Sequence, residues 1–120
     1  DVKERRESLQ RQNVEVILVP AANDRPDLPH VLQLLAGRGV NELWVEAGAQ
    51  LAGALVSQGL FDELVVYVAP SLLGGGARGL LDLPPLQRLE QRTPLRFTDV
   101  RMIGEDLRLT AVRAAAGGVG

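Results

Sequence analysis

The chain has 120 residues, 46% of them apolar, and a net charge of -2, which fits one modest globular domain and excludes the basic excess a nucleic-acid surface needs. It contains no cysteine, so disulfides, thiolate nucleophiles and cysteine-ligated metals are excluded. No apolar run approaches the roughly 18 residues a membrane helix needs, and no secretory pattern is read at Asp1, so a cytoplasmic protein without membrane contact is expected.

Trp44, Tyr67, Phe61 and Phe97 are the only aromatic residues, so the core is expected to be aliphatic. Residues 1–13 are rich in charge of both signs (Lys3, Glu4, Arg5, Arg6, Glu7, Arg11) at helical spacing, which reads as a solvated helix or tail. Val14 to Val19 is a short β-branched apolar run, expected to be a buried strand. Pro20 to Pro26 reads as a loop. Asp27 is placed to cap a helix with Pro29 in its first turn, and Gly37 or Gly39 is placed to end it.

Leu43 to Ala47 reads as a second strand, Ala49 to Gln58 as a second helix ended by Gly59, and Glu63 to Ala69 as a third strand stopped by Pro70. Strands alternating with helical connections of this length imply parallel neighbours joined by right-handed crossovers. Ser71 to Pro85 carries four glycines and reads as a connector, the triple glycine Gly74–Gly76 included. Arg96–Ile103 and Asp106–Arg113 flank Gly104-Glu105, a two-residue hairpin turn. Leu95 and Phe97 fall on one parity and Val100 and Met102 on the other, which places a bulge near Asp99. Residues 114–120 read as a flexible tail. The expected fold class is α/β: a mostly parallel sheet flanked by helices, with an antiparallel C-terminal hairpin.

The segment Trp44 to Leu51 (WVEAGAQL) carries the chemistry. A strand ends at Glu46, Gly48 makes the turn, and a helix follows at once. Free amides at a helix start, with the helix dipole behind them, attract an anion, and small side chains let it approach. A glycine turn alone is also what any tight strand-to-helix connection needs. Glu46 has two readings: a carboxylate that caps its own loop, or an acceptor for a polar substrate. His30 stands without a second metal ligand at useful spacing, so no metal site is expected.

Further motifs follow in order: Val45 to Ala52, Gly59-Leu60, Asp62 to Leu64, Ala69-Pro70, Leu72 to Gly74 and Ile103 to Leu109. This series closely resembles the C-terminal reductase domain of the bacterial bifunctional riboflavin-biosynthesis deaminase/reductase family, across roughly Val14 to Val112. The resemblance implies a dihydrofolate-reductase-like fold and NADPH as cofactor. It implies the reduction of 5-amino-6-(5-phosphoribosylamino)uracil at its ribosyl C1 to the ribityl product. It also implies that Glu46 contacts substrate and that Gly48, Ala49, Gln50, Leu51, Ala52, Gly53 and Ala54 line the NADPH site, with the pyrophosphate near Gly48 to Leu51. Ala47 stands where many members of the family carry glycine.

Hydride transfer needs positioning more than acid–base groups, so no catalytic residue is singled out. The family's zinc-deaminase motifs and the first half of its reductase domain are not among these 120 residues. The chain is therefore expected to be the C-terminal part of one reductase domain, to be inactive alone, and to self-associate, the family suggesting a homodimer. Two alternatives stand beside this reading: another pteridine or folate reductase of the same fold, and a non-catalytic nucleotide-binding or assembly domain.

Overall fold

A computed structural model describes residues 2–114. The expected tail therefore lies outside the described residues, apart from Ala114, whose N–H donates to the Pro94 carbonyl at 3.0 Å. The chain forms two compact units that divide between Leu43 and Trp44.

The first unit holds helix α1 (Val2–Arg11), a two-residue hairpin of β1 (Ala21–Ala22) and β2 (Arg25–Pro26), and helix α2 (Leu28–Gly37). Helix α1 is exposed along most of its length, as its charge pattern requires. The hairpin occupies what the sequence suggested was a plain loop. Its turn residues Asn23 and Asp24 sit at φ 52° and 58°, the left-handed pair that a tight hairpin turn demands and that Asn and Asp tolerate. Helix α2 begins after Asp27 in extended backbone, although the Asp27 side chain makes no capping bond. It ends at Gly39, where φ is 86°. There the Gly39 and Val40 amides return to the Ala36 and Leu35 carbonyls at 2.9 and 3.1 Å, satisfying carbonyls that the helix end leaves open.

The second unit holds helix α3 (Ala49–Ser57) and strands β3 (Glu63–Val68), β4 (Leu95–Ile103) and β5 (Asp106–Arg113). Helix α3 closes in the same way as α2, with Gly59 at φ 67° and the Leu60 amide on the Leu55 carbonyl at 2.8 Å. Arg113, at the end of β5, donates to the Gly59 carbonyl at 3.3 Å, a cation placed at the negative end of the helix. Among the described residues the buried apolar side chains are Leu55 and Val56 on α3 and Ala111 on β5.

The three strands form one sheet in the order β3-β5-β4, and every pairing in it is antiparallel. This corrects the expected mostly parallel sheet. Neither Val14–Val19 nor Leu43–Ala47 lies in a strand, and Leu18 and Trp44 are 69% and 65% exposed rather than buried. The physical reason is that a β-branched apolar run favours extended backbone but does not choose its neighbour. A strand exists only where a second ladder takes its N–H and C=O groups. A helical connection permits a parallel neighbour without enforcing one. β3 instead pairs with β5, residue for residue from Glu63↔Val112 to Val68↔Leu107.

The C-terminal hairpin follows its sequence pattern closely. Gly104 takes φ 62° at the first turn position, the place a type II′ turn reserves for glycine. The bulge falls between Phe97 and Asp99. By its register Phe97 opposes Ala111 and Val100 opposes Leu109. Both therefore share one sheet face despite their opposite sequence parity, because the extra residue absorbs the slip.

Candidate functional site

The expected site residues converge on the start of α3. Gly48 is the N-cap, at φ -70° and ψ 169°, with no side-chain cap on the helix. The Ala52 amide is the first to reach back, to the Gly48 carbonyl at 3.1 Å. The amides of Ala49, Gln50 and Leu51 thus have no partner within the helix, the ordinary condition of a helix start. No acidic side chain stands in the first turn, so nothing there competes with an incoming anion.

Of the two reasons the sequence offered for glycine at position 48, the conformational one does not hold. Its backbone is ordinary extended conformation, open to any residue, and a Cβ built there would meet nothing within 4 Å. The chain itself does not need glycine at this turn. What glycine provides is open space in front of the free amides. Gln50 and Leu51 are exposed and Ala49, Ala52 and Ala54 half-buried, while Gly53 is buried.

Glu46 is exposed and its Oε1 accepts from the Trp44 indole Nε1 at 3.2 Å. This contact holds the carboxylate beside an aromatic plane, just before the Gly48 turn. Its partner is thus a neighbouring side chain rather than an amide of its own loop.

A second feature was not singled out from sequence. The polar face of the sheet forms an open depression of about 460 Å³ lined by Trp44, Tyr67, Asp99, Arg101, Arg108 and Thr110 among others. Asp99, at the bulge, accepts from Arg101 Nε and Nη2 at 2.7 and 2.9 Å and from Arg108 Nη2 at 2.8 Å. The Arg101 and Arg108 guanidiniums hold its carboxyl down from 3.8 to about 2. Asp99 pairs with Thr110 and Arg101 with Arg108, so these side chains share one face, and Arg108 comes from the neighbouring strand, which no local pattern announces.

A depressed carboxylate contributes stability that is present above its unfolded value and lost as pH falls through its folded one. Asp99→Asn is accordingly expected to flatten the loss of sheet structure between pH 3.8 and about 2, followed by circular dichroism. An acid profile unchanged by the substitution would show that the triad contributes nothing to folding.

Among the described residues no group of three or more His, Asp or Glu side chains could hold a metal ion, and no helix is long and apolar enough to cross a membrane.

An antiparallel three-stranded sheet with a helix whose uncapped start follows a Glu-Ala-Gly turn defines a mixed α/β domain. The chain belongs to the RibD C-terminal domain family, which matches residues 1–109. It is 43% identical over 103 residues to the riboflavin biosynthesis protein RibD of Escherichia coli, covering 86% of this chain and 28% of that protein. It is 31% identical to the 5-amino-6-(5-phosphoribosylamino)uracil reductase of Buchnera aphidicola, covering 82% of this chain and 47% of that one. In structure it is similar to Acinetobacter baumannii RibD, with a TM-score of 0.80 at 29% identity, covering 91% of this chain and 29% of that one. The chain thus spans less than half the length of each of these proteins.

Proposed function

We propose that this chain is part of a riboflavin-biosynthesis reductase that uses NADPH to convert 5-amino-6-(5-phosphoribosylamino)uracil to its ribityl product. The observation that carries the reading is the open α3 start, in a chain of the RibD C-terminal domain family. The uncapped amides of Ala49 to Leu51 would receive the pyrophosphate, with Gly48 leaving the approach clear. Ala52 and Ala54 would line the same cofactor site, and Gly53 would stand beneath it. Glu46, steadied by Trp44, would accept hydrogen bonds from substrate hydroxyl or amine groups. When bound, NADPH supplies the hydride. The chain's own groups bind, orient and keep the approach open, so no acid–base residue is assigned.

In this reading residues 1–120 are the C-terminal part of one dihydrofolate-reductase-like reductase domain in a cytoplasmic protein. β3 pairs on one edge only, with β5, among the described residues. Phe97, Val100 and Met102 on β4 are 60, 54 and 61% exposed on the sheet's other face. An open edge and an uncovered apolar face favour self-association, so the chain alone is read as an inactive homodimer or higher assembly. The experiment is a fluorescence titration of the protein with NADPH. Saturable binding supports the reading, and no binding overturns it.

A further inference from the structure

The connection between β3 and β4 is long, and between its two ends one backbone hydrogen bond ties it to α3. Across residues 67–98, Leu81 is the only residue that is not exposed. Its neighbour Asp82 donates its backbone N–H to the carbonyl of Ala49, the first residue of α3, at 3.0 Å. Gly53, buried, stands one helical turn further along the same face.

A Cβ built on Gly53 would lie 2.2 Å from the Asp82 carbonyl oxygen, 2.8 Å from its carbonyl carbon and 2.9 Å from its nitrogen. These are backbone atoms, which cannot swing aside as a long side chain would. Gly53 lies within α3 and is not among the positive-φ glycines, so backbone conformation does not call for it. Close approach does: glycine lets the connection lie directly on the helix.

We propose that Leu81-Asp82 and Gly53 form a single-point clasp, which holds the connection on α3 and, through the Ala49 carbonyl, positions the first turn of that helix. Gly53 is then a positioning residue, the seat of the connection rather than a cofactor contact. The clasp stands on geometry alone, whereas its consequence for cofactor binding rests on the NADPH reading. A segment held at one point opens locally without unfolding the rest.

Arg78 and Arg88 lie on either side of the clasp and are exposed, so trypsin reports its state. Gly53→Ala must displace the Asp82 backbone. It is expected to speed cleavage at both sites by roughly tenfold, the scale of one lost hydrogen bond plus relief of the clash. The Asp82 amide is expected to lose its protection from hydrogen exchange to a similar degree. NADPH affinity is expected to fall in parallel, because the α3 start is released. Where that variant does not fold, exchange in the unaltered protein decides. The Asp82 amide should exchange at least several-fold more slowly, after intrinsic rates are allowed for, than those of Gly79 and Leu80. Exchange at Asp82 as fast as at its neighbours, or cleavage unchanged by Gly53→Ala, overturns the clasp. Faster cleavage with unchanged NADPH affinity overturns its positioning role. Failure of the unaltered protein to bind NADPH overturns the cofactor reading alone, because cleavage and exchange are measured without the nucleotide.

Discussion

Leu55→Ala is expected to cost about 2–4 kcal/mol of stability, from the lost transfer energy of the side chain and the cavity left behind. Leu55 is only 9% exposed, and with Val56 at 8% and Ala111 at 2% it makes up the buried apolar core among the described residues. With so few buried side chains the loss has no larger core to absorb it. Domains are commonly stable by only about 5–15 kcal/mol, so the loss is a large share of the total. Leu72→Ala is the control. Leu72 is fully exposed, and its truncation is expected to stay within about 0.5 kcal/mol. Urea unfolding of both variants checks the contrast, and equal midpoints would contradict this placement of the core.

Gly48→Val is expected to lower NADPH affinity by about tenfold or more, on the scale of 1.4 kcal/mol per tenfold, while leaving the fold in place. The backbone at Gly48 is already in the β region that valine prefers, and nothing lies within 4 Å of the new Cβ. The folding penalty is therefore limited to a poorer N-cap, about 1 kcal/mol. The isopropyl group instead occupies the space in front of the Ala49 to Leu51 amides. Gly48→Ser separates the two effects, because serine caps at least as well as glycine and adds less bulk. It should keep full stability and lose less affinity. A titration in which Gly48→Val binds NADPH as the unaltered protein does would remove Gly48 from the cofactor site.

The parts of the fold that were legible in sequence are those whose signals are local. Gly104-Glu105 forced the hairpin, because a two-residue turn with glycine first leaves two strands no alternative to antiparallel pairing. The parity slip between Phe97 and Val100 located the bulge near Asp99, because one extra residue is what shifts a strand's alternation. Gly59 marked the end of α3 because a left-handed residue is needed there. The antiparallel pairing of β3 with β5 was not legible, because pairing is a choice of partner made across the chain. Val14–Val19 and Leu43–Ala47 carry the composition of strands without a ladder to join. The hairpin at Asn23-Asp24 was missed because its strands are only two residues long, too short for any alternation.

For the candidate site, the sequence named the residues at the α3 start but not the reasons the structure gives for them. Glu46, Gly48 and the first turn of α3 do stand together in sequence and structure. Glycine at 48 suggested a conformational demand that the backbone does not make. Gly53 suggested cofactor space, whereas the Asp82 backbone fills it. That contact joins residues 29 apart in sequence, and no local pattern announces it. The Asp99–Arg101–Arg108 cluster is of the same kind, since Arg108 reaches Asp99 from the neighbouring strand.

Isotopic transfer from the nicotinamide to the sugar decides whether the chain belongs to a working reductase. NADPH carrying deuterium at the transferable position of nicotinamide C4 is supplied, together with 5-amino-6-(5-phosphoribosylamino)uracil, to the protein as its native host makes it. A ribityl product with one deuterium at the former ribosyl C1 is expected, formed in step with NADPH oxidation and suppressed in Gly48→Val. Substrate recovered unreduced while the protein remains folded, or product formed without deuterium, would contradict the reductase reading.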